Sequence, residues 1–128
     1  MDPYTEDLEY YVAAEHLDEV KLEGLQERVV EDSTNILAEY IHLPKEILRD
    51  MILRAILLWQ KSAHTKIAAV RLMQPGHQYM IMRDIAENFK RIALKMKRFV
   101  GPVEMLDLAL AEVLDHFQET YMNQDFFD

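Results

Sequence analysis

Five histidines and 23 carboxylates are the side chains of this chain best suited to chemistry, and their spacing decides whether they can act together. Glu39 and His42 stand three apart, and Glu112 and His116 four apart, so each pair shares one helical face, as metal ligands of helical bundles do. A di-metal bundle needs two Glu-x-x-His motifs and a Glu from each of two further helices. The second motif is missing, and His42 stands beside Leu43-Pro44 at the end of its segment. Glu15-His16 with Glu19 reads as a solvated acidic face. A helical-bundle metal-binding protein is therefore kept only as a further alternative. Ser33 and Ser62 are the only serines, neither lies in a Gly-flanked nucleophile elbow, and His64 is too close to Ser62 along a helix to face it. There is no Gly-rich phosphate loop and no cysteine, which excludes a thiolate nucleophile, a cysteine zinc site and disulfides. The reading is of a protein that is not an enzyme, with no catalytic, cofactor-binding or metal residue assigned and no cofactor.

The elements that would carry these residues are helices. Half of the 128 residues are hydrophobic and 29% are charged, the balance of a globular domain, and only three Gly and four Pro interrupt the chain. Asp2 and Pro3 suit a helix start, and Leu8, Tyr11, Val12 and then Leu22, Leu25, Val29, Ile36, Tyr40 fall at helical spacing. Gly24 and Asp32-Ser33-Thr34-Asn35 are the expected weak points, giving one broken helix or two. Pro44 opens the next helix, which is apolar almost all round from Ile47 to Trp59, the profile of a central helix. Gln74-Pro75-Gly76 is the clearest turn, and Ile67–Met73 with Gln78–Met82 could pair across it as a hairpin instead of extending two helices. Beyond it, Met82, Ile85, Phe89, Ile92, Met96 and Phe99 step by three and four as a coiled-coil-like seam. Gly101-Pro102 is expected to close that helix and open a last one, with Val103, Leu106, Leu110, Val113 and Phe117 inward. The eight methionines, Met73, Met80, Met82, Met96 and Met105 among them, read mostly as core filler. The predicted fold is all-α: one helical domain over residues 1–128, an antiparallel bundle of four to five helices, with a short β-hairpin near residues 67–82 as the local alternative.

Charge is distributed unevenly along this scaffold. Residues 1–43 hold 12 acids and 2 bases, residues 44–98 hold 4 acids and 12 bases, and residues 99–128 hold 7 acids and no base. The simplest consequence is that acidic first and last helices lie beside basic central ones and pair with them. A second is that acidic faces of one copy meet basic faces of another, which fixes register and builds a homo-oligomer. Lys90, Arg91, Lys95, Lys97 and Arg98 are the basic interaction residues singled out, and Phe126 and Phe127 in the C-terminal stretch are candidate aromatic anchors. That stretch, from Tyr121 on, could equally dock back on its own bundle. Nucleic acid is a poor partner for a chain of net charge −9. The acidic start is the reverse of a targeting sequence, and the densest apolar run, Met51–Trp59, is far below the ~20 residues of a membrane span. A soluble protein without a membrane partner is expected, placed in the cytoplasm.

Ile36-Leu37-Ala38-Glu39-Tyr40-Ile41, then Leu43-Pro44-Lys45-Glu46-Ile47, then Ile52 to Leu58 carry one further signal. This order, an amphipathic helix, Leu-Pro and a hydrophobic helix, resembles the small head-to-tail connector (adaptor) proteins of tailed bacteriophages. The resemblance covers residues 29–62, and the chain departs from that family by two long amphipathic helices after the turn. It implies a ring-forming, non-enzymatic structural subunit, found in the host cytoplasm or the virion, and transfers no functional residue. The leading expectation is a protein–protein assembly subunit. The alternative is a small acidic regulator or inhibitor that covers a basic, nucleic-acid-binding surface of a partner protein.

Overall fold

A computed structural model describes residues 22, 25–65, 77–97 and 101–121, and these are all-α. Four helices follow one another: α1 (Leu25–Tyr40), α2 (Lys45–Thr65), α3 (His77–Lys95) and α4 (Val103–Tyr121). Their starts follow the prolines. The Pro44 carbonyl accepts from the amides of Ile47 and Leu48 at 3.0 and 3.1 Å, and the Pro102 carbonyl from that of Met105 at 3.0 Å. Each proline thus stands just before the first helical residue, where a missing N–H leaves no bond unmade. The connection from α1 to α2 is short: Ile41 bonds back to the Leu37 carbonyl, and Leu43 to that of Ile41.

Each helix packs on two others, α1 on α2 and α4, and α3 on α2 and α4. Among the described residues α1 does not touch α3, nor α2 touch α4. The two acid-rich helices are therefore neighbours, and so are the two base-rich ones. The core that joins them includes Val30 and Leu37 from α1, Leu48, Met51 and Ile56 from α2, Phe89 and Ile92 from α3, and Leu106 and Phe117 from α4. In α2 every residue from Met51 to Ile56 is buried, Arg54 included, as an all-round apolar helix requires. Arg54 is held by Asp50 one turn earlier, Nε to Oδ2 at 2.9 Å and Nη2 to Oδ1 at 3.3 Å. Asn88 reaches from α3 to the Ala55 carbonyl at 3.3 Å. Among the described residues no buried side-chain polar atom lacks a partner, which is what makes such groups tolerable inside a core.

Four local expectations change. The run Asp32–Asn35 does not break α1: Thr34 Oγ1 donates to the Val30 carbonyl one turn back at 2.7 Å, and Asp32 accepts from Tyr121 of α4. Gln78–Met82, the second arm of the hairpin alternative, is helical, since Gln78, Ile81, Met82 and Ile85 extend the buried stripe of α3. The first arm, residues 67–73, and the turn at 74–76 lie outside the described residues. The third helix stops at Lys95, before Gly101, and the left-handed residue that ends it is Lys97 at φ 54°. Gly101, at φ 153°, belongs to the entry into α4, in a region that favours glycine. Val103 is 39% exposed, because the core begins one turn later at Leu106. The seam residues Met82, Ile85, Phe89 and Ile92 are buried as their spacing predicts, with Met96 partly so. The helical periodicity before Leu22, including His16, falls outside the described residues, as does Phe99.

Candidate interaction surface and the Asp32 clasp

The acid-rich helix α4 meets a different partner on each flank. On one flank lies α1, itself rich in acids, and the contact is organised by a single carboxylate. Tyr121 donates its hydroxyl proton to Asp32 Oδ2 at 2.6 Å, and His116 Nε2 lies 3.1 Å from the same oxygen. Tyr121 is buried, stacks on Phe117 at 5.8 Å, and meets the His116 ring edge-on at 6.1 Å. Burial alone would raise the Asp32 pKa, but the bonds from Tyr121 and His116, with the charges of His116 and Arg28, hold it below the usual carboxylate value. For Tyr121 burial and the bond to Asp32 act in the same direction and push its pKa up to about 12. A phenol so held keeps its proton near neutrality and serves as a donor to Asp32. The cluster is a clasp between two like-charged helices.

On the other flank lies the base-rich α3. Lys90 Nζ meets Asp107 Oδ1 at 2.8 Å, and this bond, against a smaller loss of hydration, raises the lysine pKa. Beside the pair an open groove of about 520 Å³ runs between the helices, floored in part by Ala86, Leu110 and Leu114. Ala86 and Ala111 are the small side chains among those that line it. Leu94 stands one turn beyond Lys90 and Val103 one turn before Asp107, and the short link from Lys95 to Val103 keeps both at the same end of the seam. Leu94 is 44% exposed and Leu108 is 47% exposed, with Met105 beside it at 38%. Arg83, Glu87 and Lys90 line the groove from α3, and Asp107 and Ala111 from α4.

The expected interaction residues are only partly gathered here. Lys90 is engaged by Asp107; Arg91 is half-buried on α3; Lys95 and Lys97 are exposed at its end. Arg98, Phe126 and Phe127 lie outside the described residues. Tyr121, counted in the sequence with the C-terminal stretch, is part of α4 and of the core. The histidine pairs do not close into sites. Glu39 and His42 are exposed, and His116, one turn from Glu112, is bonded to Asp32 instead. Among the described residues no three His, Asp or Glu side chains come together as metal ligands. Sequence reasoning missed the clasp, whose members are 84 and 89 residues apart. It also missed the exposed apolar residues of α4. Their signal was present: Met105 and Leu108 fall out of phase with Leu106, Leu110, Val113 and Phe117.

The described residues contain no helix long and apolar enough to cross a membrane. No protein-family model matches this chain, and no curated protein or solved structure matches it either.

Proposed function

We propose that this chain is a non-enzymatic interaction subunit, an antiparallel helical bundle that assembles through charged helix faces. The observation that carries the reading is the set of large apolar side chains, Leu94, Val103, Met105 and Leu108, left exposed on the charged surface of α3 and α4. Apolar surface rimmed by charge is the composition of a contact surface, with a dehydrating centre and a polar edge that sets orientation. The reading is also supported by the clasp, whose titratable groups are occupied in joining α1 to α4. In its most specific form the subunit is a viral or phage structural protein, on the likeness of residues 29–62 to tailed-phage connectors.

One feature favours a second reading. Glu104, Glu112, Asp115 and Glu119 are all exposed, on a helix with no base, so α4 could cover a basic surface of another protein as an acidic inhibitor does. Native mass distinguishes the two. Sedimentation of the purified chain across protein concentration should give an assembly larger than one 15.1 kDa chain. A monomer at every concentration that binds polylysine favours the inhibitor. Stoichiometric iron or zinc in the purified protein would overturn both.

A further inference from the structure

We infer that the outer face of α4 is a docking strip for a basic amphipathic helix of another protein, centred on Leu108. The inference rests on the acidic-inhibitor reading above and names its surface and its partner. Glu104, Leu108, Glu112, Asp115 and Glu119 step by four, four, three and four. They form one row turned away from the buried Leu106, Val113 and Phe117. All five are exposed, and Met105, three residues before Leu108, widens the apolar centre. The row follows the helix for about 22 Å.

The charge of this row is uncompensated. None of its four carboxylates joins an ion pair with a described residue, whereas Asp107, on the groove side, is held by Lys90. Glu112 is three residues before Asp115, and Glu119 four after it, so like charges repel along the helix. The last turn of α4 contains no base, although the negative end of the helix dipole favours one. Positive charge laid along the row relieves each of these costs.

The spacing and the leucine select the form of that charge. A single metal ion does not serve, because among the described residues no three His, Asp or Glu side chains gather as ligands. Polyanions and anionic membranes are repelled. A polycation without apolar groups leaves Leu108, 47% exposed, in water. A helix laid along α4 repeats every 3.6 residues or so, as the row does. It brings lysine or arginine to the carboxylates and one apolar side chain to Leu108. Copies of this chain offer no such helix among the described residues. Arg49, Arg54 and Lys90 are already held by Glu27, Asp50 and Asp107, and Asp84 and Glu87 stand between Arg83 and Lys90 on α3. The partner is therefore a different protein.

The test titrates the full chain into a fluorescent probe, a helical peptide of about 16 residues with lysines on one face around a central leucine. Binding should weaken with salt. Glu112→Gln with Asp115→Asn should raise the Kd about tenfold. Glu39→Gln with Glu46→Gln removes as much exposed charge elsewhere and should change it by less than about twofold. Leu108→Asn should weaken the peptide about fivefold and leave polylysine binding unchanged; circular dichroism controls for folding. Equal weakening by both charge pairs, or binding of polylysine alone, would leave the inhibitor reading on diffuse charge and overturn the α4 row. An unchanged peptide Kd in Leu108→Asn would also overturn it. Absence of binding to peptide and polylysine alike would remove the inhibitor reading and the inference together. Sedimentation of the Glu112→Gln, Asp115→Asn form is the last check. Self-assembly lost there would make a second copy the occupant and overturn the assignment to another protein.

Discussion

The two flanks of α4 differ in the direction opposite to their charges. Against α1 it sets acid beside acid, yet that contact is closed by Phe117 and Tyr121 in the core and by two groups bonded to Asp32. Against α3 it sets acid beside base, with an ion pair at 2.8 Å, yet an open groove lies along that seam with Leu110 and Leu114 in its lining. Charge complementarity does not close a helix contact. Apolar side chains of sufficient size do, provided that any carboxylate beside them is given donors. Ala86 and Ala111, in the lining of the groove, cannot reach across as Tyr121 does to Asp32.

The contrast can be broken most forcefully at Phe117. Phe117→Ala should destabilise the fold by about 3–5 kcal/mol through the lost burial and the cavity left behind, read as a lower urea midpoint. If the loss were under ~1 kcal/mol, the α1–α4 contact would not be the well-packed one.

Tyr121→Phe isolates the clasp from the packing. Removal of the hydroxyl should cost about 1 kcal/mol, at the low end for a bond to a charged acceptor because Asp32 is still partly open to water. Alkaline titration sharpens the point. A tyrosine whose folded pKa is about 12, against 10.0 for an ordinary one, contributes stability that is intact below pH 10 and lost as pH climbs toward 12. The variant should lack that decline. For Asp32, whose pKa is lowered, the sign reverses: its contribution is present above the ordinary carboxylate pKa of 3.8 and disappears as pH falls through the lowered value. Asp32→Asn should flatten the acid limb of a stability–pH curve.

Lys97→Gly should stabilise the chain by about 1 kcal/mol, since glycine takes a left-handed φ without the Cβ clash that lysine carries. A drop in melting temperature would mean that the Lys97 side chain has a role at the end of α3 that outweighs its backbone. The smallest effect belongs to the complementary seam. Lys90→Ala should change stability least of the five substitutions, and the difference should fade in high salt, because the pair lies at the surface. A large effect there would reverse the comparison.

Much of the secondary structure was legible along the chain. Pro44 and Pro102 marked helix starts, and the three-four steps of Met82–Ile92 and Leu106–Phe117 marked buried faces, because helix geometry converts sequence spacing directly into position. The stop at Lys97 was not legible, since a lysine carries no signal for left-handed backbone and Gly101 carries a strong one. The α1 break was misjudged for a related reason: local competition by Asp32 and Thr34 looks destabilising until their bonding partners are known.

Composition and periodicity alone determined that the described residues are helical and that the sequence is cysteine-free and segregated by charge, since these are local properties. Tertiary structure alone decided which helices are neighbours. It put acid beside acid, joined Asp32 to residues 84 and 89 positions away, and left Leu94 and Leu108 uncovered. The physical reason is that like charges on helix surfaces repel only modestly through water, whereas burial of aromatic and aliphatic side chains contributes far more per residue. Packing therefore chose the neighbours, and the charges accommodated them.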